Sequence, residues 1–180
     1  MRKVLYILGH LSDDDTEWMA EAGHRLQADA GQVLIRQGQP SPYLFVVLDG
    51  GVAVEVSGAG VVARLGSGEV MGEMSFVDSA LPSATVRAEA GCVVLALEKT
   101  AIEARLKGDP GFAGRFYKAL AIFLADRLRS QNERLSSPSD GLSQPGIQQD
   151  ELDDAVLDQV SLAGLRFERM IKTLMSARAA

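Results

Sequence analysis

The chain has 180 residues, 47% of them hydrophobic, enough to bury one core and a small appendage but hardly two independent domains. With 24 acidic against 18 basic residues the formal charge is -6, which repels polyanions unless a local basic patch overrides it, so nucleic acid is not an expected partner. One cysteine, Cys92, excludes an internal disulfide, and beside Val93-Val94-Leu95 it reads as a small core residue.

Met1-Arg2-Lys3 gives the start a basic flank, yet the apolar run Val4 to Leu8 is shorter than the roughly 7 to 15 residues of a secretory core. No stretch approaches the ~18 apolar residues of a membrane span, and a cytoplasmic protein is expected. Ser12 followed by Asp13, Asp14 and Asp15 supplies a cap and acidic residues for the positive end of a short helix that ends near Gly23. Residues 1–24 thus form a lead-in of strand and helix.

From residue 25 to 98 the period changes from about 3.6 to 2, and β-branched residues recur between turn glycines. Val33-Leu34-Ile35, Tyr43 to Leu48, Val52 to Val56, Val61 to Ala63, Thr85 to Ala88 and Cys92 to Leu97 are the predicted strands. Gly38-Gln39-Pro40, Asp49-Gly50-Gly51 and Gly58-Ala59-Gly60 are the turns. So many short strands in one run predict a mainly β fold with flanking helices, a double-stranded β-helix of the jelly-roll or cupin-like kind that closes its own edges.

Residues 99–135 return to the helical period, with one helix up to Lys107 and a long one from Phe112 to Leu135. Its stripe Phe112, Phe116, Leu120, Phe123 and Leu128 can pack on the roll or form a two-helix dimer seam. The seam is favoured, because a helix this long has more apolar face than one small roll covers. Residues 136–149, rich in Ser, Pro and Gly, read as a linker. Residues 150–180 then carry an extra amphipathic helix with Leu152, Val156, Val160, Ala163, Phe167, Ile171 and Leu174 on one face. Packing on its own roll or on a dimer mate suits that face best, ahead of docking on another protein. A membrane surface is disfavoured by the acidic start of the helix.

Inside the β region lies Gly66-Ser67-Gly68-Glu69-Val70-Met71-Gly72-Glu73-Met74-Ser75-Phe76, leading through Asp78-Ser79-Ala80-Leu81-Pro82 into Ser83-Ala84-Thr85-Val86-Arg87-Ala88. This segment resembles the phosphate-binding cassette of the cyclic-nucleotide-binding family, found in catabolite activator proteins, kinase regulatory subunits and gated channels. The resemblance extends from about residue 12 to 135, since the helices and turns come in the family's order. It implies a short helix whose free N–H groups, around Gly72, Glu73 and Met74, face a cyclic phosphate. It also implies that Glu73 accepts from a ribose hydroxyl, and that an arginine just before the pair Ser83-Ala84 holds the phosphate.

Pro82 stands where that arginine would be, and no Lys or Arg occurs from Glu69 to Val86. Loss of one member of a buried charge pair costs about 2 to 5 kcal/mol, or roughly thirtyfold to a few thousandfold in affinity. Cyclic nucleotide binding is therefore disfavoured, and no cofactor is expected. Gln131 and Asn132, reached by counting along the long helix, stand where the family often offers base contacts.

His10 and His24 lack partners at metal-ligand spacing, and no catalytic constellation is found. Only 45 residues follow Leu135, opening on the linker and an acidic stretch, so a winged DNA-reading module is not expected. The predicted function is a non-enzymatic regulatory or adaptor module, homodimeric, with a degenerate phosphate site and a protein partner met through the C-terminal helix. The alternative is a working cyclic AMP or cyclic GMP sensor that signals through that helix.

Overall fold

The computed structural model describes residues 8–136 and 154–176, with side chains over 8–132, 162–172 and 174. The start of the expected lead-in, residues 1–7, and all but Ser136 of the expected linker lie outside the described residues.

Helix α1 spans Asp13–Ala22 and opens on a reciprocal cap. Ser12 Oγ accepts from the Asp15 N–H at 3.2 Å, while Asp15 Oδ2 accepts from the Ser12 N–H at 2.8 Å, which satisfies two donors that a helix start otherwise leaves unpaired. Eight strands follow: β1 (His24–Gln27), β2 (Val33–Ile35), β3 (Tyr43–Asp49), β4 (Gly51–Val56), β5 (Gly60–Gly66), β6 (Val70–Met71), β7 (Thr85–Ala88) and β8 (Val93–Glu98). They form two antiparallel sheets, ordered β1-β8-β3-β6 and β2-β7-β4-β5. A five-residue helix α2 (Glu73–Val77) sits between β6 and β7, and α3 (Lys99–Gly108), α4 (Pro110–Ser136) and α5 (Asp154–Ser176) follow β8.

The runs in β3 and β8 are apolar at consecutive positions because both faces of that sheet are covered. Phe45, Val47, Val94 and Ala96 point into the roll with Ile35, Val52, Met71, Val86, Ala88 and Cys92. Leu44, Val46, Leu95 and Leu97 point the other way, against the helices. The turn at Gly50 needs glycine on two counts: its φ is +73°, and an added Cβ would lie 2.8 Å from the Gly91 carbonyl oxygen.

The α4 stripe departs from the sequence expectation of a dimer seam. Phe112, Phe116, Leu120 and Phe123 are buried in this chain's own core, together with Met19 of α1 and Ala163, Met170 and Leu174 of α5. Only Leu128 of the five remains outside, at 59% exposed. The apolar partners come from the chain's own α1 and α2: the Trp18 ring lies 5.3 Å from Phe112 and the Phe76 ring 5.9 Å from Phe116, each edge to face. At about 1.5 to 3 kcal/mol per fully buried large side chain, the three phenylalanines stabilise this chain's own core.

Ion pairs fasten the same layer. Arg115 of α4 grips Asp15 with two hydrogen bonds, 2.6 and 2.9 Å. Burial alone would raise the Asp15 carboxyl, but the Arg115 and Ser12 bonds hold it below its ordinary value. Arg166 of α5 pairs with Asp13 at 2.6 Å and donates to the Leu8 and Gly9 carbonyls at 3.0 and 3.2 Å.

Candidate functional site

The segment between β6 and β7 is built around Gly72. Its φ of +85° lies in the left-handed region, and a Cβ there would stand 2.9 Å from the Tyr43 carbonyl oxygen, so only glycine lets β6 end and α2 begin at this spot. That same Cβ would touch Ile35, the last residue of β2. At the other end of the segment, Pro82 accepts from the Gly38 N–H at 2.9 Å, in the turn just past Ile35. Both ends of the segment therefore converge on the exit of β2. Between them Asp78 Oδ1 accepts from the Ala80 N–H at 2.9 Å, and Ser79 takes a φ of 58°.

Glu73, the first residue of α2, is 2% exposed, whereas Met74 beside it is 51% exposed. Its carboxylate is turned in toward α4 and accepts from Arg127 Nη1. The other guanidinium nitrogen of Arg127 donates to the Val70 carbonyl at 3.2 Å and stands 3.7 Å from Glu69 Oε2. The guanidinium also lies over the Phe123 ring, 4.8 Å from its centre, a favourable face-on contact for a cation. Lys99, at the start of α3, donates to Ser75 Oγ at 2.8 Å. Burial pushes the Glu73 carboxyl above its ordinary value, with Arg127 opposing that rise; burial likewise lowers the Lys99 ammonium.

Ser83 is exposed, and Pro82 and Ala84 are half-buried, in the loop entering β7. Arg87, four residues beyond Ser83, faces outward as strand alternation requires, bonded to Glu55 at 3.2 Å and to the Gly31 carbonyl at 2.8 Å. Gln131 and Asn132 are both exposed, about one turn of α4 beyond Arg127. Arg127, Lys99 and Glu69 do not stand out in the sequence. A contact between residues 54 apart leaves no local signal, and Arg127 looks there like any solvated helix cation.

A cavity of about 20 Å³ between roll and helices is lined by Leu8, Met19, Leu44, Val46, Val70, Phe116 and Leu120, with Gly68, and is apolar. A second, of about 280 Å³, lies at the β4–β5 turn against Glu55, Ser57, Val61 and Thr85. Neither is lined by Gly72, Glu73, Ser83 or Ala84. Among the described residues no cluster of His, Cys, Asp and Glu could hold a metal, and no helix is long and apolar enough to cross a membrane.

Residues 25–109 match the sequence profile of the cyclic nucleotide-binding domain. The chain is 29% identical over 103 residues to the cAMP-dependent protein kinase regulatory subunit of Schizosaccharomyces pombe, covering 57% of this chain and 25% of that protein. It spans a third or less of the length of the first curated relatives it matches. A solved cyclic nucleotide-binding domain from Methylobacillus flagellatus superposes with a TM-score of 0.66 at 22% identity, over 78% of this chain and 85% of that one. The Thermus thermophilus catabolite activator protein superposes with a TM-score of 0.59 at 21% identity, over 95% of this chain and 87% of that one. At these identities the two structures speak for the fold.

Proposed function

Residues 25–109 belong to the cyclic nucleotide-binding domain family, and from that premise we propose that the chain is a non-enzymatic regulatory or adaptor module whose phosphate site is degenerate and which works as a homodimer through protein contacts. The carrying observation is the state of the cassette's charged groups. Pro82 offers a carbonyl, already bonded to Gly38, in the place where the family resemblance calls for a phosphate-binding arginine. The cations that reach the segment already hold other partners: Arg127 on Glu73, Lys99 on Ser75, and Arg87 on Glu55. A cyclic phosphate would meet backbone donors without the arginine that the family places before the Ser83-Ala84 pair.

Support for the dimer lies on a different strip of α4 from the one expected from the sequence. With the phenylalanines turned inward, α4 presents Gly114, Tyr117, Ala121, Leu124, Leu128 and Gln131, all exposed except half-buried Leu124. These residues alternate at spacings of three and four, the a/d repeat that a coiled coil buries. Tyr117 and Leu128 are 49% and 59% exposed. A second copy meeting the same strip would pair like with like about a two-fold axis. A protein partner that used α5 would have to compete with the Arg166–Asp13 pair and with the buried Met170 and Leu174.

One observation favours the alternative, a cyclic nucleotide sensor. Exposed Arg36 opens the Arg36–Gln39 turn whose Gly38 N–H bonds the Pro82 carbonyl, so the chain carries an arginine two residues from that contact. Calorimetric titration of the full chain with cyclic AMP and cyclic GMP separates the two readings. Sedimentation at varied concentration tests the dimer.

A further inference from the structure

We infer that Arg127 is a positioning residue that serves the cassette as an internal ligand: it holds the Glu73 carboxylate turned in against α4, so that cassette and long helix are fastened together with no nucleotide present. This rests on the degenerate-site reading and deepens it. Glu73 begins a five-residue helix whose next residues, Met74 and Val77, are both about half exposed. A charged residue at such a surface turn belongs in water, and an ionised carboxylate is buried only where it is paired.

Arg127 supplies that pairing through two acceptors, Glu73 and the Val70 carbonyl, with the Glu69 carboxylate 3.7 Å away and Phe123 beneath its plane. Burial disfavours the charged form of Glu73; Arg127 and Lys99 both oppose that effect, and Glu69 adds to it. Take Arg127 away, and Glu73 loses the guanidinium that its carboxylate bonds. A hydroxyl group arriving at Glu73 Oε1 competes with Arg127 for that oxygen, and Arg127 is part of α4 on the flank of its exposed strip. Access to the carboxylate and the seating of α4 are therefore one equilibrium, read equally from either end.

The test uses the full chain. Hydrogen exchange of Arg127→Ala should quicken at least tenfold at residues 73–77 and 124–132, with β3 and β8 unchanged, and Arg127→Lys should recover part of the protection. Glu73→Gln, which keeps the shape and removes the charge, should loosen the same two segments and serves if Arg127→Ala does not fold. Unchanged protection at both segments overturns the inference. A second arm asks for binding. In a Pro82→Arg background, adding Arg127→Ala should tighten cyclic AMP at least tenfold by calorimetry. Equal affinity, or equal silence at millimolar nucleotide, overturns the claim that Arg127 keeps Glu73 from a ligand. Tight binding by the unaltered chain would defeat the degenerate-site reading while the exchange result still stood on its own.

Discussion

Gly38 donates its backbone N–H to the Pro82 carbonyl at 2.9 Å, so the residue before Ser83-Ala84 is stitched into the exit of β2 and shows an incoming anion an oxygen and a ring. Proline has no N–H to offer and a fixed φ.

Gly72 is the position where the cassette backbone tolerates least. Gly72→Ala combines a left-handed φ of +85° with a Cβ 2.9 Å from the Tyr43 carbonyl oxygen; Gly58, at φ +82°, has open space around it. Strain of this kind costs of order 1 to 3 kcal/mol, and in a chain of this size each kcal/mol moves the melting temperature by about 2 to 4 °C. Thermal melting should show a distinctly larger loss for Gly72→Ala than for Gly58→Ala. Equal losses would mean that the Tyr43 approach is relieved at no cost.

The two strips of α4 should separate cleanly under mutation. Phe123→Ala opens a cavity in the core and should cost about 3 to 5 kcal/mol in denaturant unfolding. Leu128→Ala should change folding by about 0.5 kcal/mol or less, because that side chain is 59% exposed. In sedimentation the double variant Tyr117→Asp, Leu128→Asp should give folded monomers. An unchanged mass would remove the coiled-coil strip as the meeting surface.

Asp15 sets the acid limit of the helical layer. Its folded-state carboxyl lies below the ordinary value, which is about 3.9. Its contribution is therefore complete above roughly pH 4 and fades as the pH falls through the depressed folded value. Asp15→Asn should lose about 1.5 to 3 kcal/mol at pH 7, the worth of hydrogen bonds to a charged group, and should converge on the unaltered chain toward pH 2. A gap independent of pH would show that the Arg115 bonds act without the charge.

Arg166 ties α5 to the start of α1 through Asp13 and the Leu8 and Gly9 carbonyls. Arg166→Ala should speed hydrogen exchange over residues 162–172, and added salt should narrow the difference because the Asp13 partner is half exposed. No change would mean that Met170 and Leu174 alone seat the helix.

The roll was legible in sequence because turn glycines punctuate it and its buried strands are continuous apolar runs; the strands Val33–Ile35 and Thr85–Ala88 fall at their predicted bounds. Strands β1 and β6 escaped notice. His24–Gln27 is mostly polar and exposed, and Val70–Met71 is too short to display a period. On α4 the sequence carries two apolar strips, Phe112-Phe116-Leu120-Phe123 and Tyr117-Ala121-Leu124-Leu128. Which one faces inward depends on partners far away in the chain, Trp18 against Phe112 and Phe76 against Phe116, which no local pattern announces. The glycine and glutamate of the cassette were visible as residue types. That Glu73 is claimed by Arg127 is a matter of distant chain segments meeting, and spacing along the chain does not encode it.

Whether the cassette takes a nucleotide at all is decided by calorimetric titration of the full chain with cyclic AMP, and then with cyclic GMP. With Pro82 in place of a cation and Glu73 held by Arg127, no saturable heat should appear below about 1 mM nucleotide. A dissociation constant in the low micromolar range for either nucleotide would contradict the degenerate site and make the chain a sensor.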